Sequence, residues 1–338
     1  MYPMQSVRHA VADASQVAEA KRRITELAKA VGLDETEAGK VTLIATEMGT
    51  NLAKHGGGGW LIGRRLTQAA TGGAALEGVE ILAVDGGRGM ADPAQCLRDG
   101  FSTAGTPGNG LGAIRRLGHA FDLFSRTNQG TVVLARVWRG LRGAPPPAVR
   151  IGVVALPMDG EEISGDGWQV AGVPPNLRVT MVDGLGHGPL AAAATEAALA
   201  TLAGSTGTPG QRLQRIHEAI RHTRGAAGAI CEIDGAGGTL RYCGVGNIAG
   251  SLMSATKPRS LVSHNGTLGL SAPRFQDFSL PWTPQSLLVL HSDGLTTRWD
   301  LSAYPGLAQR DPALIAAVLW RDFQRGRDDA TVLVVKAA

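Results

Sequence analysis

Val182-Asp183-Gly184-Leu185-Gly186-His187-Gly188 ends an apolar run, 177–182, on an aspartate set in a glycine turn. Three further segments repeat the device: Ser164-Gly165-Asp166-Gly167, Ser292-Asp293-Gly294 and Arg327-Asp328-Asp329-Ala330-Thr331. One Asp-Gly pair is an ordinary turn. Four segments in order, each beside an apolar strand, assemble hard oxygen donors suited to magnesium or manganese, ions that keep several waters in an octahedral shell. Two such ions about 3.5–4 Å apart generate hydroxide and stabilise in-line displacement at phosphorus.

Working outward, strand-like runs are expected at 149–156, 168–173, 177–182, 229–233, 240–245, 286–290 and 331–335, with helices at 189–202 and 209–221. Many strands around two central helices predict an αββα layered sandwich. This half, 149–338, resembles the PPM-type serine/threonine phosphatases, in the branch of the SpoIIE sporulation phosphatase and the stressosome phosphatases. Gly244-Val245-Gly246-Asn247-Ile248 and His264-Asn265-Gly266 contribute to the likeness. The resemblance implies that catalytic Asp183 bridges two Mn2+ or Mg2+ ions and that the Gly184 carbonyl joins one of them. It assigns Asp166 to one ion, and Asp293 and Asp328 to the other. Asp329 reads as a carboxylate behind the ligands or a structural one. His187 orients a water or leaving group, or packs in its turn, and His291 reads as a packed strand residue. No arginine stands out as the phosphate-gripping residue of the larger eukaryotic relatives.

Ahead of this half lies a proline- and glycine-rich linker at 140–148, containing Pro145-Pro146-Pro147. Residues 1–139 form the other domain. Over 15–31, Val17, Ile24, Leu27 and Val31 share one side at helical spacing, with Ser15 as N-cap and Gly32 as stop. A second helix starts from a capping Asp34 and carries the stripe Val41, Ile44, Ala45, Met48 and Leu52, ending at the glycines 56–59. Strands at 60–66, 79–84, 121–124 and 131–138, and a short helix at 111–117, complete an α/β sandwich with helices on one face of a mixed sheet. The fold class is therefore α+β.

Three elements of this domain carry chemistry. Glu47 and Asn51, four residues apart, share one helix face; a carboxylate activates an attacking hydroxyl and an amide oxygen ligates magnesium. Asp85-Gly86-Gly87-Arg88-Gly89 follows an apolar strand, so a carboxylate that can accept from an amine sits where glycines admit a ligand. Gly105-Thr106-Pro107-Gly108-Asn109-Gly110-Leu111-Gly112 leads into a helix, a glycine loop whose backbone N–H groups suit phosphates. In this order the elements resemble the GHKL (Bergerat) ATPases, and among them the anti-sigma-factor and stressosome-switch serine kinases. The segments 101–105 and Gly130-Thr131 fit too. The likeness implies ATP with Mg2+: Asn51 holding metal and phosphates, Asp85 the adenine with Gly87, Gly89 and Thr131 around it, and Gly108, Gly110 and Gly112 the lid. Glu47 becomes the base for a substrate serine. Gly49, which costs about 1 kcal/mol relative to alanine inside a helix, admits close packing against nucleotide or a strand.

With 338 residues, 43% hydrophobic and 18% charged, the chain exceeds what one core usually serves and is globular in composition. A net charge of +4 and basic clusters no larger than Lys21-Arg22-Arg23, Arg64-Arg65 and Arg115-Arg116 predict solvated faces and no nucleic-acid partner. Cys96, Cys231 and Cys243 have no metal-type spacing and indicate no disulfide framework. His9, Asp13 and Lys21 interrupt any apolar leader, so no membrane and a cytoplasmic location are expected. The resemblance implies a bifunctional serine/threonine kinase and metal-dependent phosphatase acting on STAS-domain anti-sigma antagonists or stressosome proteins. The alternatives are a phosphatase whose first domain only binds ATP together with a sigma factor or partner kinase, and a phosphatase gated by nucleotide.

Overall fold

The computed structural model describes residues 6–68, 75–97, 110–141, 150–254, 258–272 and 274–337. Gly108, the segment 101–105 and most of the proline-rich linker lie outside them. Two compact units emerge, one from Ser6–Val149 with Leu301–Arg321, the other from Arg150–Asp300 with Asp322–Ala338.

The first unit opens with β1 (Val7–Val11), α1 (Ala14–Ala30), α2 (Glu35–Asn51), β2 (Gly59–Gln68) and β3 (Leu76–Asp85). It continues through α3 (Pro93–Cys96), α4 (Gly110–Leu117), β4 (Ala120–Ser125) and β5 (Thr131–Trp138). Asp13, not Ser15, caps α1: its carboxylate accepts from Ser15 N and Gln16 N, and the Ser15 hydroxyl donates to it as well. For α2 the expected cap holds, and Asp34 and Glu37 close a reciprocal capping box.

The strands pair in the order β1-β2-β3-β5-β4, and every pairing is antiparallel, not mixed as the sequence suggested. Alternation along the strands turns Leu61, Val79, Ile81, Ala83, Val133 and Ala135 toward Ile24, Val41, Ile44 and Met48 of the two long helices. Gly49 serves that layer: a Cβ there would lie 3.0 Å from Val17 Cγ1, so its small size brings α2 against α1, neither a strand nor nucleotide.

On the other sheet face a row of charges is buried. Arg64 lies opposite Glu80, which lies opposite Arg136, and the three are 4%, 1% and 2% exposed. Arg64 is thus no solvated cluster member but one end of a buried ion row. Asp311 extends the row, taking Arg136 Nη1 and Nη2 at 2.6 and 2.7 Å. It belongs to the segment Leu301–Arg321, which covers this face: Trp320 meets Trp60 edge-on at 6.4 Å, and Asp122 accepts from Asp311 N at 2.8 Å.

The second unit is built from β6 (Ile151–Leu156), β7 (Asp166–Val173), β8 (Asn176–Gly184), α5 (Pro189–Ala200), α6 (Pro209–Ala219), β9 (Ala226–Asp234) and β10 (Thr239–Val245). It continues with β11 (Ala249–Met253), β12 (Arg259–Leu261), β13 (Phe278–Pro281), β14 (Leu287–His291) and β15 (Ala330–Lys336). The helix α7 (Pro312–Phe323) lies between β14 and β15 in sequence. One sheet has the order β13-β10-β9-β8-β7 and the other β12-β11-β14-β15-β6. Between them pack Trp168, Val179, Met181, Tyr242, Leu288, Leu290, Leu333 and Val335. On the outer face of the first sheet, Leu199, Leu213 and Ile216 from α5 and α6 cover Val182, Ile230 and Val245. The three cysteines are free. Among the described residues no helix is long and apolar enough to cross a membrane.

Candidate nucleotide site and candidate metal centre

Strand periodicity aims the carboxylates of the second unit. Val179 and Met181 face the gap between the sheets, so Asp183, two residues on, continues that side at the end of β8. Trp168 does the same on β7 and places Asp166 there. The two strands pair with Asp166 directly opposite Asp183. Like charges so placed lie about 4.5–5.5 Å apart at Cβ and repel. Burial first, then the neighbouring carboxylates Asp166, Asp293, Asp328 and Asp329, pushes Asp183 well above the usual carboxylate range. Burial likewise raises Asp166, against a hydrogen bond from Ser292 Oγ at 2.6 Å to its Oδ2. Its Oδ1 is buried without a hydrogen-bond partner. Asp293, half-buried, is raised by burial and by Asp328, while Asn247 Nδ2 donates to it at 2.6 Å.

An orphaned buried carboxylate oxygen inside a field of four further aspartates fits a divalent cation. Among the described residues no three His, Cys, Asp or Glu side chains close on one point. Hard divalent ions keep much of their water and take carbonyl oxygen as well as carboxylate. Gly184, whose carbonyl is an expected ligand, is held by its N–H to Gly165 O at 3.1 Å. Thr195 Oγ1 donates to the same carbonyl at 2.5 Å.

Asp329 has a different task. Its two oxygens accept from Met158 N at 2.8 Å and Gly165 N at 2.6 Å, fastening the loop before Asp166. His187 is exposed and its Nδ1 meets Glu161 Oε1 at 2.7 Å. His291 has both ring nitrogens engaged, with Ser292 O and Trp299 Nε1, and packs in its strand. Thr195 and Glu161 were given no role from sequence, nor was Ser292 beyond its place in the Ser292-Asp293-Gly294 segment, because hydroxyls and a loop glutamate acquire meaning only from what they touch.

In the first unit, α2 places Glu47 and Asn51 side by side, and the first residue of α4 comes against both. A Cβ on Gly110 would lie 3.2 Å from Glu47 Oε2 and 3.5 Å from Asn51 Oδ1. Gly112, in the first turn of α4, is buried. Beyond Asn51 the helix widens into a π-helical turn, Leu52–Gly56, a distortion frequent at functional sites. It brings Gly56 within contact of Asp85 and presents Lys54 and His55, which sequence reading passed over. His55 is held below its usual range by burial and then by Arg88 and Lys54.

Asp85 ends β3 and is fixed by its neighbours. Gly87 N and Thr131 N both donate to its Oδ1, at 2.9 and 3.1 Å, and Arg321 Nη1 donates to its backbone carbonyl at 3.1 Å. Oδ2 accepts from neither of these N–H groups. Burial raises the Asp85 carboxyl, partly offset by those N–H groups. Gly89 has φ of +61°, and a Cβ there would strike Arg126 O; only glycine closes the turn against 126–130. Glu47, Asn51 and Gly110 thus form one group, and Asp85, Gly87, Gly89 and Thr131 a second, joined by the turn at Gly56.

Known proteins match both halves. A model of the histidine kinase-like ATPase domain matches residues 10–137, and one of stage II sporulation protein E (SpoIIE) matches 174–338. Serine/threonine-protein kinase RsbT of Bacillus subtilis (strain 168) is 32% identical over 112 residues, 33% of this chain and 80% of that protein. A structure from work on the bacterial stressosome, as a modular system adapted to control secondary messenger signaling, is 28% identical. It covers 55% of this chain and 98% of its own, with a TM-score of 0.52. RsbX in complex with magnesium is 22% identical over 55% of this chain and 94% of its own, with a TM-score of 0.47. The chain therefore belongs, through its first domain, to the family of RsbT-like kinases among the GHKL ATPases, and its second domain is a SpoIIE-type domain of the PPM phosphatases.

Proposed function

We propose that this protein is a two-way phosphorylation switch: the first domain transfers phosphate from ATP to a serine or threonine of a STAS-domain partner, and the second removes phosphate from such a partner. The observation that carries the phosphatase half is the facing pair Asp166 and Asp183 with its buried, unpartnered oxygen. Asp183, Asp166, Asp293, Asp328 and the Gly184 carbonyl would together hold two Mn2+ or Mg2+ ions. When bound, such ions supply a hydroxide nucleophile at neutral pH and charge for the phosphoryl oxygens. The chain's own residues orient this set: Ser292 and Asn247 hold Asp166 and Asp293 by hydrogen bonds, and Asp329 fastens the loop beneath.

In the first domain Asn51 would hold Mg2+ and the ATP phosphates, Asp85 the adenine amine, and the glycines 108, 110 and 112 the phosphate lid. Glu47 would take the proton from the attacking hydroxyl. Its carboxylate beside Gly110 supports transfer over mere nucleotide sensing, because a binding module needs no base there.

The test uses the full chain with magnesium, labelled ATP and a STAS-domain protein. Phosphoserine or phosphothreonine should appear on the partner, and manganese should promote its removal. Glu47→Ala should keep nucleotide affinity and lose transfer, while Asp183→Asn should lose removal alone. Transfer that survives Glu47→Ala would take that residue out of the mechanism. A partner that gains no phosphate with ATP and loses none with manganese would end the proposal.

A further inference from the structure

The metal centre as described is mostly carboxylates and carbonyls, with Arg325 the cation that acts on Asp293; a grip on a substrate phosphate calls for a further cation. The residues leading into β9 supply one. Register pairs Asp183 with Ala227 and Gly184 with Ala226, and the ladder runs on through Leu185 N, which donates to Gly225 O at 3.0 Å. That pairing seats Arg224 beside the loop that carries Asp183. Its side chain is exposed and lies along the loop: Nη1 is 3.5 Å from Leu185 O, and a Cβ on Gly186 would be 3.1 Å from the same nitrogen. The absence of a side chain at 186 is what lets the guanidinium rest there.

The backbone that presents it is pinned. Thr223 Oγ1 donates to Ile220 O at 2.7 Å and accepts from Gly225 N at 3.1 Å, and Ala226 exchanges two backbone hydrogen bonds with Leu268. Among the described residues no carboxylate lies within ion-pair distance of Arg224, and its one hydrogen bond is long. Arg212 and Arg241 of the same unit are both tied to Glu232. A planar fork with donors to spare, held beside a metal loop, matches two oxygens of a phosphate group.

We infer that Arg224 is the substrate-phosphate residue of the phosphatase domain, binding the phosphoserine or phosphothreonine dianion over the Leu185–Gly186 turn. This rests on the phosphatase reading above. The variants are Arg224→Ala and Arg224→Lys in the full chain with manganese. They are assayed with p-nitrophenyl phosphate for turnover and with inorganic phosphate for equilibrium binding by calorimetry. Arg224→Ala should weaken phosphate binding and raise KM by about tenfold or more, the loss expected for a hydrogen bond to a charged group. Lysine should restore part of it, and the manganese midpoint for thermal stabilisation should stay where it is. Equal phosphate affinity in wild type and Arg224→Ala overturns the assignment, as does a shifted manganese midpoint, which would make Arg224 a support of the metal loop. Wild type that binds phosphate through Arg224 yet shows no turnover would instead refute the phosphatase reading and leave the phosphate site standing.

Discussion

Replacing Glu80 with glutamine tests the buried ion row of the first unit. The carboxylate is 1% exposed. Arg64 reaches its Oε1 through Nε at 3.1 Å and Nη2 at 2.7 Å, and Arg136 reaches Oε2 through Nε at 2.8 Å. Glutamine keeps the shape and removes the charge. Arg136 retains Asp311, whereas the buried guanidinium of Arg64 faces a neutral amide where the Glu80 carboxylate stood. Breaking a buried pair from one side costs about 3–5 kcal/mol, because the charge left behind stays desolvated. Against a domain stability of about 5–15 kcal/mol that is a large fraction, and it lowers the unit's Tm by about 10 °C or more. Glu77, on the same strand, is the control: its partners Arg65 and Arg139 are about half exposed, so Glu77→Gln should cost about 1 kcal/mol or less. Calorimetry of the full chain reads both. The acid limb adds a sign. Burial alone would raise Glu80, but Arg64 and Arg136 outweigh it and hold the carboxyl below its ordinary range. Its contribution is therefore present above the unfolded value, near about 4.3, and disappears as pH falls through the lower folded value. The wild type should lose stability more steeply in acid than Glu80→Gln. If Glu80→Gln costs no more than Glu77→Gln, the row is not electrostatically coupled and the reasoning fails.

Three further outcomes are expected. In chelator, the raised Asp166 and Asp183 hold protons more tightly folded than unfolded, so stability is greatest below the unfolded carboxylate value and falls as pH rises toward the folded ones. Asp183→Asn should flatten that fall and stabilise the metal-free chain near pH 8 in urea titrations, while abolishing the stabilisation manganese gives wild type; a steeper fall in the variant would contradict the repulsion. Gly110→Ala should weaken binding of a fluorescent ATP analogue by crowding Glu47 and Asn51; unchanged affinity would place the nucleotide elsewhere. Asp34→Ala should cost about 1 kcal/mol in chemical denaturation by opening the cap of α2, and no loss would mean that Glu37 alone holds that turn.

The sequence by itself determined the elements whose signals are local. Asp34 with Glu37 marks a helix start wherever the chain goes, and the stripe from Val41 to Leu52 marks its buried face. The aspartates at strand ends were legible because apolar alternation into an Asp-Gly turn is read within a few residues, and so were the glycines around Asp85. Helix α7 was not, because Ala313 to Trp320 are buried on every side, and a helix apolar all round has no 3.6-residue signal to find. Charge pairing was equally hidden: Arg64 looked like half of a basic surface cluster until β3 and β5 set Glu80 and Arg136 beside it.

What only the tertiary structure decided is which residues meet. Asp166 and Asp183 are separated by a hairpin whose register, not its sequence, puts them face to face. Asp329, read from sequence as a carboxylate behind the ligands or a structural one, fastens a loop because two backbone N–H groups reach it. Arg224, unremarkable in sequence, gained a role from the β8–β9 ladder that lays it along Gly186. The physical reason is common to all three. Residue type and periodicity fix how a side chain points from its own element, whereas contact between elements is set by long-range pairing that no local window contains.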